Sequence, residues 1–599
     1  MRWLPEPLRS RVLYLTASGS FRRRMIYGAG ILIALGVLWI VITGLIAKAE
    51  VGKIEAQLKR VRLLVSEGRI TDAENAATGI PGLARRAHLL TTGPAWWMAA
   101  QVPYFGDPFE VMRGATEAGK QVGVNGVATL LDVASTLDPK NLRVNGDTLN
   151  IAALKAAAPK LAIAAHALDG AVHTVNDLPS NTWLSSVNHA RTSFALQLHS
   201  IVGYIDAAAN ASAIMPTMMG EDRPMRYFIG LQNEAEMRGT GGLPGAFAIA
   251  MVSKGKITFT HFFSDTVLLA TPTKEIPTGL QFGQGFQSAY GINDPTSFIV
   301  NSNMSPHFPY AAQTWAAMWQ RVSGEKVDGA IALDPTALGY FLAVTGPATL
   351  PNGAVIDASN IVPLTEKDEY AIFSNNTERK DFLVSVLKAA SKKLTSGAGN
   401  ATTLARTMTA VSSQQRLMIW SADPNSQRVL ETTGYSGAIP EGKRPFGGMI
   451  LNNIAAGKLD YYLVRGMEYH RTGCGSTRDV FVTITLTNNA PPSGLPGYVV
   501  NRGDKRAYAI RPGDNRTLLD YYATEGAVVL SATLNNKPTT IAVESDRGKM
   551  IFRSDLELPR GTTQTLTLHL SEPAGTGTPQ IWQQPGVTPL KLQVFNQAC

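Results

Sequence analysis

The stretch from Tyr227 to Leu268, YFIGLQNEAEMRGTGGLPGAFAIAMVSKGKITFTHFFSDTVL, gathers residue types that hold charged groups. Its apolar start reads as a buried strand, so Glu234, Glu236 and Arg238 are expected in the loop that follows. Gly239, Gly241 and Gly242 come next, and a second hairpin strand ends at Asp265-Thr266. Charged side chains at strand ends beside a glycine-rich turn are where α/β proteins place binding sites. An arginine there can grip a phosphate with two parallel hydrogen bonds, assisted by backbone N–H groups of the glycines. Asp265, together with Asp294, Asp328 or Asp334, would offer carboxylates to Mg²⁺, which takes few from protein and the rest from phosphate. The bland readings stand beside these: glycines supply φ > 0 in turns, and single aspartates cap helices or form turns.

Other chemistries find no matching pattern. The glycine loop lacks the Gly-Lys-Ser/Thr ending of a P-loop. Among nine histidines there is no HExxH and no paired spacing, and no GxSxG elbow points to a serine hydrolase. The formal net charge of +9 is modest for 599 residues and partly reflects an N-terminal arginine cluster. With no helix-turn-helix, RNP or zinc-finger spacing, a nucleic-acid partner is not expected. Cys474 and Cys599 form no CxxC; in an exported segment they can pair as a disulfide, and otherwise they are two thiols.

The elements that must position these residues follow from hydrophobic patterning. Hydrophobic residues make up 45% and charged residues 17%, the composition of a folded, multidomain chain. Met25 to Ala47 carries no charge and is long enough to cross a bilayer as a helix. Arg22, Arg23 and Arg24 precede it, with Arg2, Arg9 and Arg11 upstream, so the positive-inside rule puts the N-terminus in the cytoplasm. A cleaved signal peptide is the competing reading, on Ala47-Lys48-Ala49, although its apolar region is longer than such peptides use. Val51, Ile54, Leu58, Val61 and Val65 continue as an amphipathic stalk, either a dimer seam or a face packed on the chain's own helices.

The organisation expected is α+β and multidomain: a basic cytoplasmic tail (1–24), a transmembrane helix (25–47) and an exported helical region (48–216). An α/β domain with a helical insertion (217–450) and an antiparallel β-sandwich of immunoglobulin-like type (451–599) complete it. Trp96-Trp97 and Val102-Pro103-Tyr104-Phe105 read either as interfacial aromatics or as a packed corner between helices. Val480, Val482, Ile484 and Leu486 alternate with polar or exposed-type residues, which sets the sandwich pattern.

The QNEAEMRGTGG core, with Asn301-Ser302-Asn303-Met304-Ser305-Pro306-His307-Phe308-Pro309 and Val327-Asp328-Gly329-Ala330-Ile331-Ala332-Leu333-Asp334-Pro335, resembles the bacterial domain-of-unknown-function 4012 family. That resemblance implies an architecture and a cell-envelope setting, often beside polysaccharide genes, without implying a reaction. A more distant likeness is to the LytR-CpsA-Psr phosphotransferases, which move glycopolymers from polyprenyl diphosphate to peptidoglycan. Arg238-Gly239-Thr240, Ser264-Asp265-Thr266 and Val327-Asp328 through Gly346-Pro347 keep the order of that family's loops. The first loop lacks its aspartate, and Ser264 stands where the second arginine belongs. This likeness implies Arg238 as a diphosphate clamp and Asp265 as metal ligand or base, a catalytic pair if the site is active. Glu234 and Glu236 would stand in as metal ligands if they share a cleft with that pair. Two functions follow as expectations: an envelope protein that binds or scaffolds a lipid-linked or wall glycopolymer beside other assembly proteins, or a Mg-dependent glycopolymer phosphotransferase.

Overall fold

The computed structural model describes residues 19–597 except 67, 68, 128, 130, 131, 134–142, 145, 146, 272 and 576. Arg2, Arg9 and Arg11 of the basic tail and Cys599, one of the two cysteines read either as a disulfide or as thiols, therefore lie outside the described residues. The chain divides into two compact units, one from 1–138 with 152–213 and one from 139–151 with 214–599.

The first unit is helical. Gly19–Ser66 (α1) is one unbroken helix of 48 residues, about 72 Å at about 1.5 Å per residue. Its section from Arg23 to Leu35 is exposed throughout, and Arg23–Val61 is long and apolar enough to cross a membrane. Beyond it, Ile54, Leu58 and Val61 pack on Ala77, Ile80 and Val127, so this part of the stalk stripe is covered by the chain's own helices, while Val51 is exposed and the Val65 side chain lies outside the described residues. Ile80–Thr91 (α2), Pro94–Ala100 (α3) and Asp107–Gln121 (α4) follow. Ile151–Asn176 (α5) also passes the length and composition test for a membrane span. Its residues Ala157, Leu161, Ala164, Leu168, Ala171 and Val175 recur every three or four positions and bury against Leu198, Val202 and Ile205 of Ser185–Met218 (α6). That is the stripe of a packed helix.

The second unit combines a helix-flanked sheet with a two-sheet sandwich. Met225–Arg238 (β1), Gly241–Ser253 (β2) and Lys256–Ser264 (β3) form an antiparallel meander, extended by Gly329–Leu333 (β4), parallel to β1, and Leu417–Ser421 (β5), antiparallel to β4. The short strands Arg143–Val144 and Thr148–Leu149 complete the seven-stranded sheet beside β3. Lys254 and Gly255, at φ 49° and 82°, make the two-residue turn between β2 and β3, the positive-φ geometry that suits a tight hairpin. Alternation along the strands sends Phe228, Phe247, Ile249 and Phe263 to one face, where Trp315, Met318 and Trp319 of Phe308–Ser323 (α7) cover them. Ile229, Leu231, Ala246 and Ala248 face the other way, onto Pro335–Thr345 (α8), Asn376–Thr395 (α9) and, through Val411, Ala401–Ser413 (α10).

The sandwich stacks a five-stranded sheet on a six-stranded one. Phe446–Asn453 (β6), Asn515–Ala523 (β9), Ala542–Asp546 (β11), Lys549–Leu558 (β12) and Gln580–Gln583 (β14) form the first, in the order β11-β12-β9-β6-β14. Leu463–Thr472 (β7), Thr477–Asn488 (β8), Val528–Leu534 (β10), Thr563–Pro573 (β13) and Lys591–Asn596 (β15) form the second with Lys537–Pro538, in the order Lys537–Pro538, β10-β13-β8-β7-β15. Val480, Val482, Ile484 and Leu486 point inward against Leu519, Tyr521, Phe552 and Leu556. The pairs β6·β14 and β7·β15 are parallel, a departure from the wholly antiparallel arrangement expected.

Candidate functional site

The strand expected to end near Asn233 continues to Arg238, which corrects the placement of Glu234, Glu236 and Arg238 in a following loop. Pairing with β2 reaches Asn233↔Leu243 and resumes only at Met237↔Gly242, so residues 234–236 bulge out with no partner on β2. Their backbone is satisfied from far away. Glu366 Oε1 and Oε2 accept from the N–H groups of Glu234 (3.1 Å) and Ala235 (2.5 Å), and Asp460 Oδ2 accepts from Met237 (2.7 Å). Unpaired buried amides would make such a strand end too costly, and these two carboxylates remove that cost.

The bulge sends its two glutamates to different neighbours. Glu234 meets Arg416, whose Nη1 donates to Glu234 Oε1 (2.9 Å) and Asp334 Oδ2 (2.8 Å) while Nη2 donates to Gly586 O (2.8 Å). Burial, with Asp334 nearby, pushes Glu234 up to about 7 although Arg416 pulls it down. Glu366 is held well above the usual range by burial and by Glu234. Glu236 instead accepts from Arg238 Nη2 (2.8 Å) and Lys458 Nζ (2.8 Å). Burial raises Glu236, but Lys458 and Arg238 outweigh it and keep the group below its ordinary value. Burial likewise lowers Lys458, and Glu236 more than restores it.

Glu236 and Arg238 line a cleft of about 530 Å³ together with Asp265, while Glu234 lies outside it. Of the two glutamates, one shares the cleft with the arginine and aspartate and the other belongs to the wall behind. The expected phosphate fork is not free. Arg238 Nε donates to Val300 O (3.1 Å) and Nη1 to Met237 O (3.0 Å) and Asn453 O (2.9 Å), so with Glu236 four of its donors are engaged. The glycines do not reach the cleft either. Gly239 N–H donates to Asn452 Oδ1 (3.0 Å), and Gly241 and Gly242 pair with Arg238 and Met237. A Cβ at Gly239 would collide with the Met304 carbonyl and one at Gly242 with the Asn233 backbone, so close packing explains these positions.

Asp265 opens a short turn after β3 and faces Lys380, whose Nζ stands 2.6 Å from its Oδ1. Burial raises Asp265 despite that lysine. These residues do not suit the Mg²⁺ expected here. An ammonium already neutralises the carboxylate, and among the described residues no group of three His, Cys, Asp or Glu could hold a metal. The other aspartates are elsewhere: Asp294 in a left-handed turn, Asp328 bonded to Arg223 and the Arg226 amide, Asp334 capping α8 through Ala337.

The remaining charge of the cleft comes from residues that no local pattern marked. Arg379 and Lys380 project from the first turns of α9, Lys458 from the turn after β6, and Glu369 from the short helix preceding α9. The Arg379 guanidinium lies 3.9 Å from the centre of the Tyr498 ring, which stacks in turn on Tyr370. Burial pushes Glu369 up to about 8. The one available signal was the Arg379-Lys380 pair itself, since cations near a helix N-terminus oppose the macrodipole and need another reason to be there.

The bulged end of β1 thus meets the β-sandwich across a polar, charge-lined cleft in a mixed α+β, multidomain chain. Residues 222–370 match the family described as "Protein of unknown function (DUF4012)". No curated protein and no solved structure matches the chain. The matched segment holds Glu234, Glu236, Arg238, Asp265, Glu366 and Glu369, whereas Arg379, Lys380, Lys458 and Tyr498 lie beyond it.

Proposed function

We propose that this is a single-pass cell-membrane protein, with a cytoplasmic N-terminus, that binds or scaffolds a lipid-linked or wall glycopolymer during envelope polysaccharide assembly. The observation that carries this reading is the surplus of cations in the cleft. Arg238, Arg379, Lys380 and Lys458 face Glu236, Asp265 and Glu369, four cations to three acids, and burial pushes Glu369 up to about 8. Such a site favours an anionic group that brings its own charge, such as a diphosphate. The volume of about 530 Å³ suits a headgroup with adjoining sugar rather than a length of polymer. The distant likeness to LytR-CpsA-Psr proteins agrees in ligand class, with Arg379 and Lys380 supplying cations that Ser264 does not. Peptidoglycan and assembly proteins are the partners we assign to the sandwich, read as immunoglobulin-like.

The phosphotransferase reading draws on Arg238 and Asp265 sharing one cleft. It is the second choice because both are held by protein partners and the residues do not suit Mg²⁺. Titrating the full chain in detergent with a short-chain polyprenyl diphosphate and with the matching alcohol separates binding of charge from binding of lipid. Only the diphosphate is expected to bind, and Lys380→Gln should weaken it about tenfold, the loss of about 1.4 kcal/mol. Equal binding of both compounds, or none by the unaltered protein, would refute the proposal.

A further inference from the structure

The helical unit exposes six large apolar residues on one corner: Trp97, Met98, Val102, Tyr104, Phe105 and Trp183, each between 45% and 65% exposed. The corner is built rather than frayed. Gly106 N–H closes onto Val102 O (2.7 Å), Phe105 N–H onto Pro103 O (2.8 Å), and Trp183 Nε1 onto Phe105 O (3.2 Å). Tyr104 is held at φ 68°, a conformation a bulky residue adopts only when its surroundings impose it.

Its height along α1 is fixed by the residue behind it. Trp96 is buried, and its Nε1 donates to Thr43 Oγ1 (2.8 Å) on α1, while Gly93 faces Trp39. Counted from Met25, the roughly 20 residues that cross about 30 Å of hydrocarbon end at Gly44. Trp96 is therefore clamped to the last turn of the apolar stretch, and the exposed aromatics share that level. Gly79 packs on Gln57 further along, so α2 runs antiparallel to α1 and carries exposed Arg85 and Arg86 to about the level of exposed Lys48. Aromatic rings at the hydrocarbon edge with cations one step further out match the order of groups in a bilayer interface.

We infer that this corner is a second membrane contact, in which the outer-leaflet interface covers Trp97, Tyr104, Phe105 and Trp183 and fixes the tilt of the helical unit. The inference rests on α1 spanning the membrane. The test uses the full chain in vesicles of phosphatidylethanolamine and phosphatidylglycerol, with the photoreactive p-benzoylphenylalanine replacing Tyr104, Trp97, Leu35 or Leu63 in turn. Lipid adducts at Tyr104 and Trp97 should exceed those at exposed Leu63, which α1 carries about 28 Å beyond Gly44, by at least about tenfold, as about 1.4 kcal/mol of preference for the interface implies. Adducts at Leu35 without adducts at Tyr104 and Trp97 would overturn the second contact and leave the span standing. Absence of adducts at Leu35 would overturn the span, and the inference with it.

Discussion

Arg416→Met keeps much of the side chain's bulk and removes its charge. In the folded protein this leaves Glu234 and Asp334, both fully buried, without their shared cation and leaves Gly586 O without its donor. Breaking a buried pair by deleting one partner costs about 3–5 kcal/mol. The loss should depend on pH in a particular sense. Burial already raises Glu234 to about 7 from an ordinary 4.5, and burial raises Asp334 too. A carboxyl whose folded value is raised contributes its stability fully below its unfolded value and loses it as pH rises through the folded one. Without Arg416 both carboxyls shift further up, so the variant continues to lose stability at pH values where the unaltered protein has stopped doing so. The difference between the two should widen between pH 5.5 and 8, by up to about 1.4 kcal/mol per pH unit for each carboxyl involved. Thermal unfolding followed by tryptophan fluorescence at several pH values reads this directly. A loss that is equal at both ends of the range, or larger at pH 5.5, would refute the assignment of Arg416 as the cation that keeps these two groups ionisable.

Further substitutions have definite expected outcomes. Glu369→Gln mimics the protonated form that burial favours up to about pH 8; the unaltered protein should lose stability relative to it as pH rises from 5 through 8, and parallel melting curves would contradict the burial argument. Gly242→Ala should cost about 1–3 kcal/mol or more, because its Cβ meets the rigid Asn233 backbone, whereas Gly119→Ala, with open space around it in α4, should raise the melting temperature slightly.

Elements governed by local pattern were legible in the sequence. The uncharged run Met25 to Ala47 reads as a helix, and Val480, Val482, Ile484 and Leu486 mark a sandwich face. The end of β1 was not legible for a definite reason. A run of Glu, Glu and Arg reads as a solvated loop because burying charge is costly, and the partners that make burial possible are Glu366, Arg416, Lys458 and Asp460. No periodicity links residues so far apart. Arg238 and Asp265 line one cleft, and their neighbours Glu236 and Lys380, which no local pattern links to them, decide what they can do there. The glycines were visible as a group, and only the backbone passing beside them distinguishes a phosphate cradle from close packing.

The bulge of β1 also bears on the order in which the chain can mature. Its amides and carboxylates are completed by groups 131 to 223 residues downstream. At synthesis rates of about 5–20 residues per second, that strand end waits roughly 11 to 45 s before Asp460 exists. Until then it remains hydrated and open, and the sheet can close only from the Met225 end. The sheet and the sandwich are thus not separable pieces: a chain cut at 450 would leave Glu236 without Lys458 and the Met237 amide without Asp460. What looks like a boundary between two domains in the sequence is a seam that must be sewn before either side is finished.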